Sequence, residues 1–447
     1  MAATARSLLI AAALGLAWPA AAQDRDRGAD MHRCNGRQPA TPEERIAACS
    51  ALIDSGREST TVVVEMMTWR AMLRADLGQN ELASRDFDEV VRLDPRNAVS
   101  RFNRAVMRER LGDDAGAIEE LDEAIRLAPS MSNAWFERGI VHSRLAHAEL
   151  AMRDFDETVR LNPANADALV RRGNLHGDAG RHDRALEDFD AALRLNSRHA
   201  FALNSRGATH LTMGAPDRAI ADFDAAIAAD PTYGQAFYNR ALARRAKGEA
   251  DAAIRDAGEA IRVEPDRAEY FQLRGSMHQD ARRYDEAIAD YDAAIRLAPR
   301  DPGLRLDRGT AYGDKEDYVR AIADFDEALR LDPDHAETLN ERCYVRAIID
   351  QAREALADCD RAIALRPTDS NFLDSRGLAR LKLGDLDGAR TDYDAALKLD
   401  PKNVHALYSR GIVRRRQGDA PGAEEDLAAA RALQADIAEE MARIGVR

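Results

Sequence analysis

Aromatic residues make up only 5% of this 447-residue chain, and its four cysteines include no Cys-x-x-Cys pair. So few large rings argue against one bulky globular core and for many small helices sharing an elongated one. The cysteine spacing removes the usual thiolate zinc and dithiol redox motifs. Beyond the N-terminal segment no stretch approaches the ~18 apolar residues that a membrane-spanning helix requires, so no membrane insertion is expected. There is no phosphate-cradling loop, no nucleophile elbow and no separate domain of a size to host chemistry. The expectation is therefore a protein that is not an enzyme, with no catalytic residue, no cofactor and no metal. Basic residues are in deficit too, 64 Lys and Arg against 78 Asp and Glu for a net charge of −14. Nucleic acid and anionic membrane are disfavoured as partners.

What is present begins with an address. Arg6 supplies a positive start, Leu8 to Trp18 form an apolar run too short for a span, and Ala20, Ala21 and Ala22 offer a cleavage site. Residues 1–22 read as a signal peptide, with the mature chain starting at Gln23. No cysteine stands at that junction to take a lipid, and the alanine-rich style favours a bacterial periplasm. In an oxidising compartment Cys34, Cys49, Cys343 and Cys359 allow two bridges in three possible pairings. Locality favours Cys34 with Cys49 and Cys343 with Cys359, and four free buried thiols are the alternative.

The organisation emerges from periodicity. Proline recurs at 95, 129, 163, 231, 265, 299, 333, 367 and 401, always at multiples of 34 residues, with Ser197 in the one missing slot. Placing that proline at repeat position 32 gives eleven uninterrupted frames, starting at Val64, Ala98, Ser132, Ala166, Ala200, Gly234, Ala268, Pro302, Ala336, Ser370 and Val404. Each frame has an apolar stripe that ends near a glycine such as Gly78, Gly180 or Gly384, able to adopt the left-handed geometry that closes a helix. A second stripe follows, with an acid in its first turn, and the proline stops it. Asn97, Asn165, Asp301, Asp369 and Asn403 stand where a side-chain oxygen caps the next helix. Position 20 is alanine in all eleven frames, position 8 is glycine in seven, and position 24 is mostly Phe or Tyr.

The period together with small positions 8 and 20, aromatic position 24 and proline 32 resembles the tetratricopeptide repeat. The resemblance implies an all-α, right-handed superhelical solenoid of about eleven helix-turn-helix repeats. Terminal capping helices complete it: residues 23–63 hold a first cap, residues 64–437 the repeats, and residues 438–447 the end of a last cap. Residues 23–41 are expected to be mostly flexible. Repeat six departs from the pattern, with Ala257 and Gly258 in place of the aromatic and acid.

Arginine holds position 7 in all eleven frames and aspartate position 23 in ten. A residue type recurring in every frame points to an Arg–Asp ladder between neighbouring helices, a structural role. His142, His176, His210 and His278 share position 11. Equivalent positions stand about one helix diameter apart, ~10 Å, too far to share ~2 Å metal bonds, so they read as replacements of a core tyrosine.

In the family resembled, first-helix positions 2, 5, 6, 9, 12 and 13 line a concave groove that holds a peptide or protein partner. Carried over, those positions give Phe102, Phe136, Tyr238, Tyr344 and Tyr408 as aromatics that otherwise face water, and Asn174, Asn204, Asn239 and Asn340 as amides for backbone hydrogen bonds. The lysine at position 5 with which the family clamps a terminal carboxylate is missing from every frame. The implied function is a non-catalytic scaffold or adaptor of the cell envelope. A structural protein that self-associates is the alternative.

Overall fold

The computed structural model describes residues 25–447, so the segment read as a signal peptide lies outside the described residues. It holds twenty-five helices and, among the described residues, no strand. The chain divides into two compact units, one reaching Asp230 and the other spanning Pro231–Arg447.

The repeat grammar sets the helix boundaries. Ten of the eleven frame starts, from Ala98 to Val404, are the first residues of thirteen-residue helices. Repeat one begins earlier, in a helix over Thr60–Asp76. Each first helix pairs with a fourteen-residue second helix, such as His182–Leu195 or Leu386–Leu399. Capping fixes the starts: Asn97, Asn165, Asp301, Asp369 and Asn403 each accept a backbone N–H from the first turn of the helix they precede. Between the two helices one residue has positive φ. It is glycine at 78, 112, 180, 214, 248, 384 and 418, but Ala146, Arg282, Glu316 and Asp350 hold the same repeat position with φ of 57–64°. The sequence signalled the glycines and not these four, because the closing hydrogen bonds demand the geometry whatever the side chain.

Packing explains the small positions. All eleven position-20 alanines are buried, none more than 2% exposed. At position 8 a Cβ on Gly139, Gly173, Gly207, Gly275, Gly309 or Gly377 would lie 2.6–2.8 Å from the position-24 ring of its own repeat. The missing methyl therefore makes room for the ring. Repeat nine solves the same contact covalently, since its positions 8 and 24 are Cys343 and Cys359, joined in a disulfide with Cα atoms 5.5 Å apart.

The first unit opens with helices Arg25–Cys34 and Pro42–Asp54, bridged by Cys34–Cys49 at a Cα separation of 4.9 Å. The expected flexibility of residues 23–41 is thus corrected over Arg25–Cys34. Met31 and Cys34 on that helix are buried with Ala48, Cys49, Leu52 and Met66, which holds it in place. The second unit ends with the helix Ile437–Arg443, whose Ile437 and Met441 join the core of the last repeats.

Candidate functional site

At several junctions the first helices of successive repeats touch one another, as Ala98–Arg110 touches Ser132–Arg144 and Ala336–Ile348 touches Ser370–Lys382. They present a face of variable residues. What that face can do depends on which of its charges are already engaged.

Most are engaged by the ladder. In every repeat the position-7 arginine meets the position-23 acid of its own second helix, and in pairs such as Arg70–Asp86, Arg206–Asp222 and Arg410–Asp426 two guanidinium nitrogens donate at 2.6–3.0 Å. Glu120 takes the aspartate's place opposite Arg104. Where the preceding repeat has an aspartate at position 25 the third nitrogen can reach it, as Arg206 does Asp190 and Arg376 does Asp360, at 2.6 and 2.9 Å. Planar bidentate pairing of this kind fixes how one hairpin sits on the next. The position-11 base completes the cluster: Arg346 donates to Asp358 at 2.6 Å, while His142, His210 and His278 stand 3.8–3.9 Å from the aspartate of their own repeat. Burial holds these three imidazoles below the usual histidine range. Among the described residues no group of three His, Cys, Asp or Glu is placed to hold a metal ion.

The residues carried over to the face separate once burial is known. Phe102 is only 1% exposed and sits in a core cluster with Ala105, Met107, Leu121 and Ala134, and Tyr408 is 7% exposed in the cluster that includes Ile437 and Met441. The expectation that these two rings face water is corrected, because neighbouring apolar side chains cover them. Asn204 is also buried. In the first unit Phe136 remains half-buried, with its ring 6.0 Å from that of Phe155 and the Arg171 guanidinium 5.9 Å over it, and Asn174 is half-buried. In the second unit Tyr238 lies 5.3 Å from the ring of Tyr270, and Asn239 accepts a hydrogen bond from Gln235 at 3.1 Å. Further along stand Asn340, which is buried, and Tyr344, which is half-buried.

Sequence reasoning missed a set of carboxyls on the same face. Glu137 in the first unit is 8% exposed, and burial, reinforced by Glu109, pushes it up to about 7. In the second unit Asp307, Glu341 and Asp374 stand on three consecutive repeats. Burial raises Asp307 above the usual carboxylate range and pushes both Glu341 and Asp374 up to about 7. Gln272 of the preceding repeat donates to Asp307 at 2.7 Å. The signal available in the sequence was positional: these acids occupy positions 5 and 6, outside the ladder positions 23 and 25.

The profile of the tetratricopeptide repeat matches residues 70–132, 136–200, 170–234, 238–302, 306–370 and 375–437. The chain belongs to the tetratricopeptide repeat family. No curated protein matches it significantly. Among solved structures it is similar to the Cut9–Hcn1 hetero-tetramer of the APC/C, at 14% identity over 95% of this chain and 97% of that one, with a TM-score of 0.50. It also resembles a tetratricopeptide repeat protein from Parabacteroides merdae, at 20% identity over 55% of this chain and 97% of that one, TM-score 0.45. A third is YrrB, described as having an unusual peptide-binding site, at 23% identity over 41% of this chain and 95% of that one, TM-score 0.35. Identities this low speak to the fold alone. The repeat fold suggests a protein–protein interaction scaffold, and among the described residues no helix is long and apolar enough to cross a membrane.

Proposed function

We propose that the chain is a non-catalytic interaction scaffold of the bacterial cell envelope that binds a peptide or protein partner along the first-helix face. The observation that carries this reading is the division of labour among side chains. The ladder residues are spent on stacking, in the same place in all eleven repeats. The first-helix face instead varies from repeat to repeat, and in the second unit it presents Tyr238, Asn239 and Tyr344. Rings with a polar tip beside amides suit a peptide whose backbone needs hydrogen-bond partners. The signal-like residues 1–22 and the disulfides Cys34–Cys49 and Cys343–Cys359 support an oxidising location, the periplasm.

The test is proximity labelling in the native envelope, with the mature protein fused to a labelling enzyme and Tyr238→Ala with Tyr344→Ala as the control. A small set of proteins lost in the variant supports the reading. Labelling dominated by the protein itself and unchanged in the variant refutes it in favour of self-assembly, which analytical ultracentrifugation would then show as concentration-dependent mass.

A further inference from the structure

The carboxyls on the first-helix face of the second unit differ in kind from every ladder acid. Each ladder acid meets an arginine, whereas no arginine or lysine among the described residues pairs with Asp307, Glu341 or Asp374. A desolvated carboxylate without a cation is costly, and selection ordinarily removes it or pairs it. Retention of three, on successive repeats, asks what compensates them.

A second observation, independent of charge, lies at the same place. Asn340 is 6% exposed, directly precedes Glu341 in the chain, and its Oδ1 has no hydrogen-bond partner in the protein. A buried amide oxygen left without a donor costs free energy in the same way as the carboxyls. Burial raises the phenol of the half-buried Tyr344, and the nearby Asp374 and Glu341 carboxyls raise it further. The site thus holds an unmet acceptor beside carboxyls that no arginine or lysine pairs, together with an aromatic ring.

We infer that this face binds a polypeptide segment bearing lysine or arginine at every third residue, with Asp307, Glu341 and Asp374 as the receiving carboxylates. The inference rests on the interaction reading above and names the chemistry of its ligand. The period follows from dimensions. Asp307 and Glu341 hold the same position in adjacent repeats, and Asp374 is one position away from the equivalent in the next. Packed helices stand about one diameter apart, ~10 Å. A polyproline-type segment returns a side chain to the same face every three residues, after ~9 Å. Successive basic side chains then meet successive repeats, and Tyr344 offers its ring to an aliphatic stem or a guanidinium plane.

The experiment uses the full mature chain and three synthetic ten-residue peptides on a Pro/Ala background: lysine at every third residue, the same number of lysines in one block, and glutamate at every third residue. The spaced lysine peptide is expected to bind about tenfold tighter than the blocked one, and the glutamate peptide not at all. Glu341→Gln and Asp374→Asn should each weaken the spaced peptide about tenfold. Both variants should keep the helical spectrum and show a thermal midpoint no lower than the parent, since each removes a half-buried, partly desolvated carboxyl that no cation pairs. A residue with a merely structural role would lower it.

Binding at pH 7 should also release protons, read as a calorimetric heat that depends on the buffer's ionisation enthalpy and is lost in the double variant. The titratable groups facing the pair are Asp314, Tyr344, Tyr393 and His405. Equal affinity for lysine and glutamate peptides, or full affinity in both variants, overturns the inference. If the glutamate peptide binds and the lysine peptides do not, the inference fails while the interaction reading stands. If none of the peptides binds and labelling captures no partner, both fail.

Discussion

Gly177 and Gly180 stand three residues apart in repeat four, and alanine at the two positions should move stability in opposite directions. At Gly177 the backbone is helical and an added Cβ has nothing within 4 Å. The methyl then brings only the helix preference of alanine over glycine, ~0.5–1 kcal/mol of stabilisation. At Gly180 an added Cβ also has nothing within 4 Å, but φ is +70°. Left-handed geometry costs a residue with a Cβ ~1–2 kcal/mol. The stiffer unfolded chain offsets ~0.4–1 kcal/mol of that, leaving a net loss of ~0.5–1 kcal/mol. The same arithmetic reversed applies to Ala146, which holds the equivalent turn position with φ of 58°, so Ala146→Gly should stabilise by ~0.5–1 kcal/mol. Urea unfolding followed by circular dichroism reads the three midpoints, provided the slope is unchanged. Because repeat arrays can unfold in segments, amide exchange within the altered repeats gives a second, local reading. Gly177→Ala and Gly180→Ala shifting in the same direction would refute the strain argument, since sterics outside the backbone are absent at both.

Gly173→Ala should destabilise by ~1–3 kcal/mol through overpacking, because its Cβ would sit 2.6 Å from Phe189 Cε1. Adding Phe189→Leu should recover part of that loss in a double-mutant cycle, as repeat two already carries Ala105 opposite Leu121. Arg206→Ala strands the buried Asp222 without its bidentate partner and should cost about 3 kcal/mol by denaturant titration. Stability should depend on pH through Glu341. Its folded pKa, about 7, lies above the value of 4.5 expected when unfolded, so folding takes up a proton between those limits and stability falls as pH rises through that window. Thermal midpoints of the parent and Glu341→Gln should therefore converge near pH 5 and separate at pH 8, with the parent lower. Identical differences at the two pH values would show that Glu341 is not desolvated.

How much was legible beforehand follows from which contacts repeat. The position-20 alanines, Gly173 with Phe189, and Arg206 with Asp222 recur at a fixed spacing, so one repeat teaches the others, and ten of the eleven frame starts became helix starts. The turn at Ala146, Arg282, Glu316 and Asp350 was hidden because backbone hydrogen bonding, which leaves no mark on side-chain identity, imposes its geometry. Phe102 and Tyr408 were misjudged for a different reason. Position 5 faces outward only where neighbouring apolar side chains leave it uncovered, and the helix Ile437–Arg443 contributes to the cluster around Tyr408. Non-local cover of that sort has no period to read.

The same distinction separates scaffold from site among the acids. An excess of 14 negative charges looks at first like a single property of the surface. The ladder divides it: acids at position 23, and many at position 25, are neutralised by position-7 arginines in the same place in every repeat, and their loss would be felt as instability. Acids at positions 5 and 6 appear in only some repeats, and in the second unit no arginine or lysine pairs with them while burial raises their proton affinity. Periodicity therefore marks the charges that build the stack, and its failure marks those available to a ligand. Exchanging Arg376 with Asp392 should leave a pair that still neutralises itself but loses the guanidinium's reach to Asp360, weakening the junction between repeats while sparing the peptide face. Loss of peptide binding in that variant, with the fold intact, would show that ladder and face are not separable.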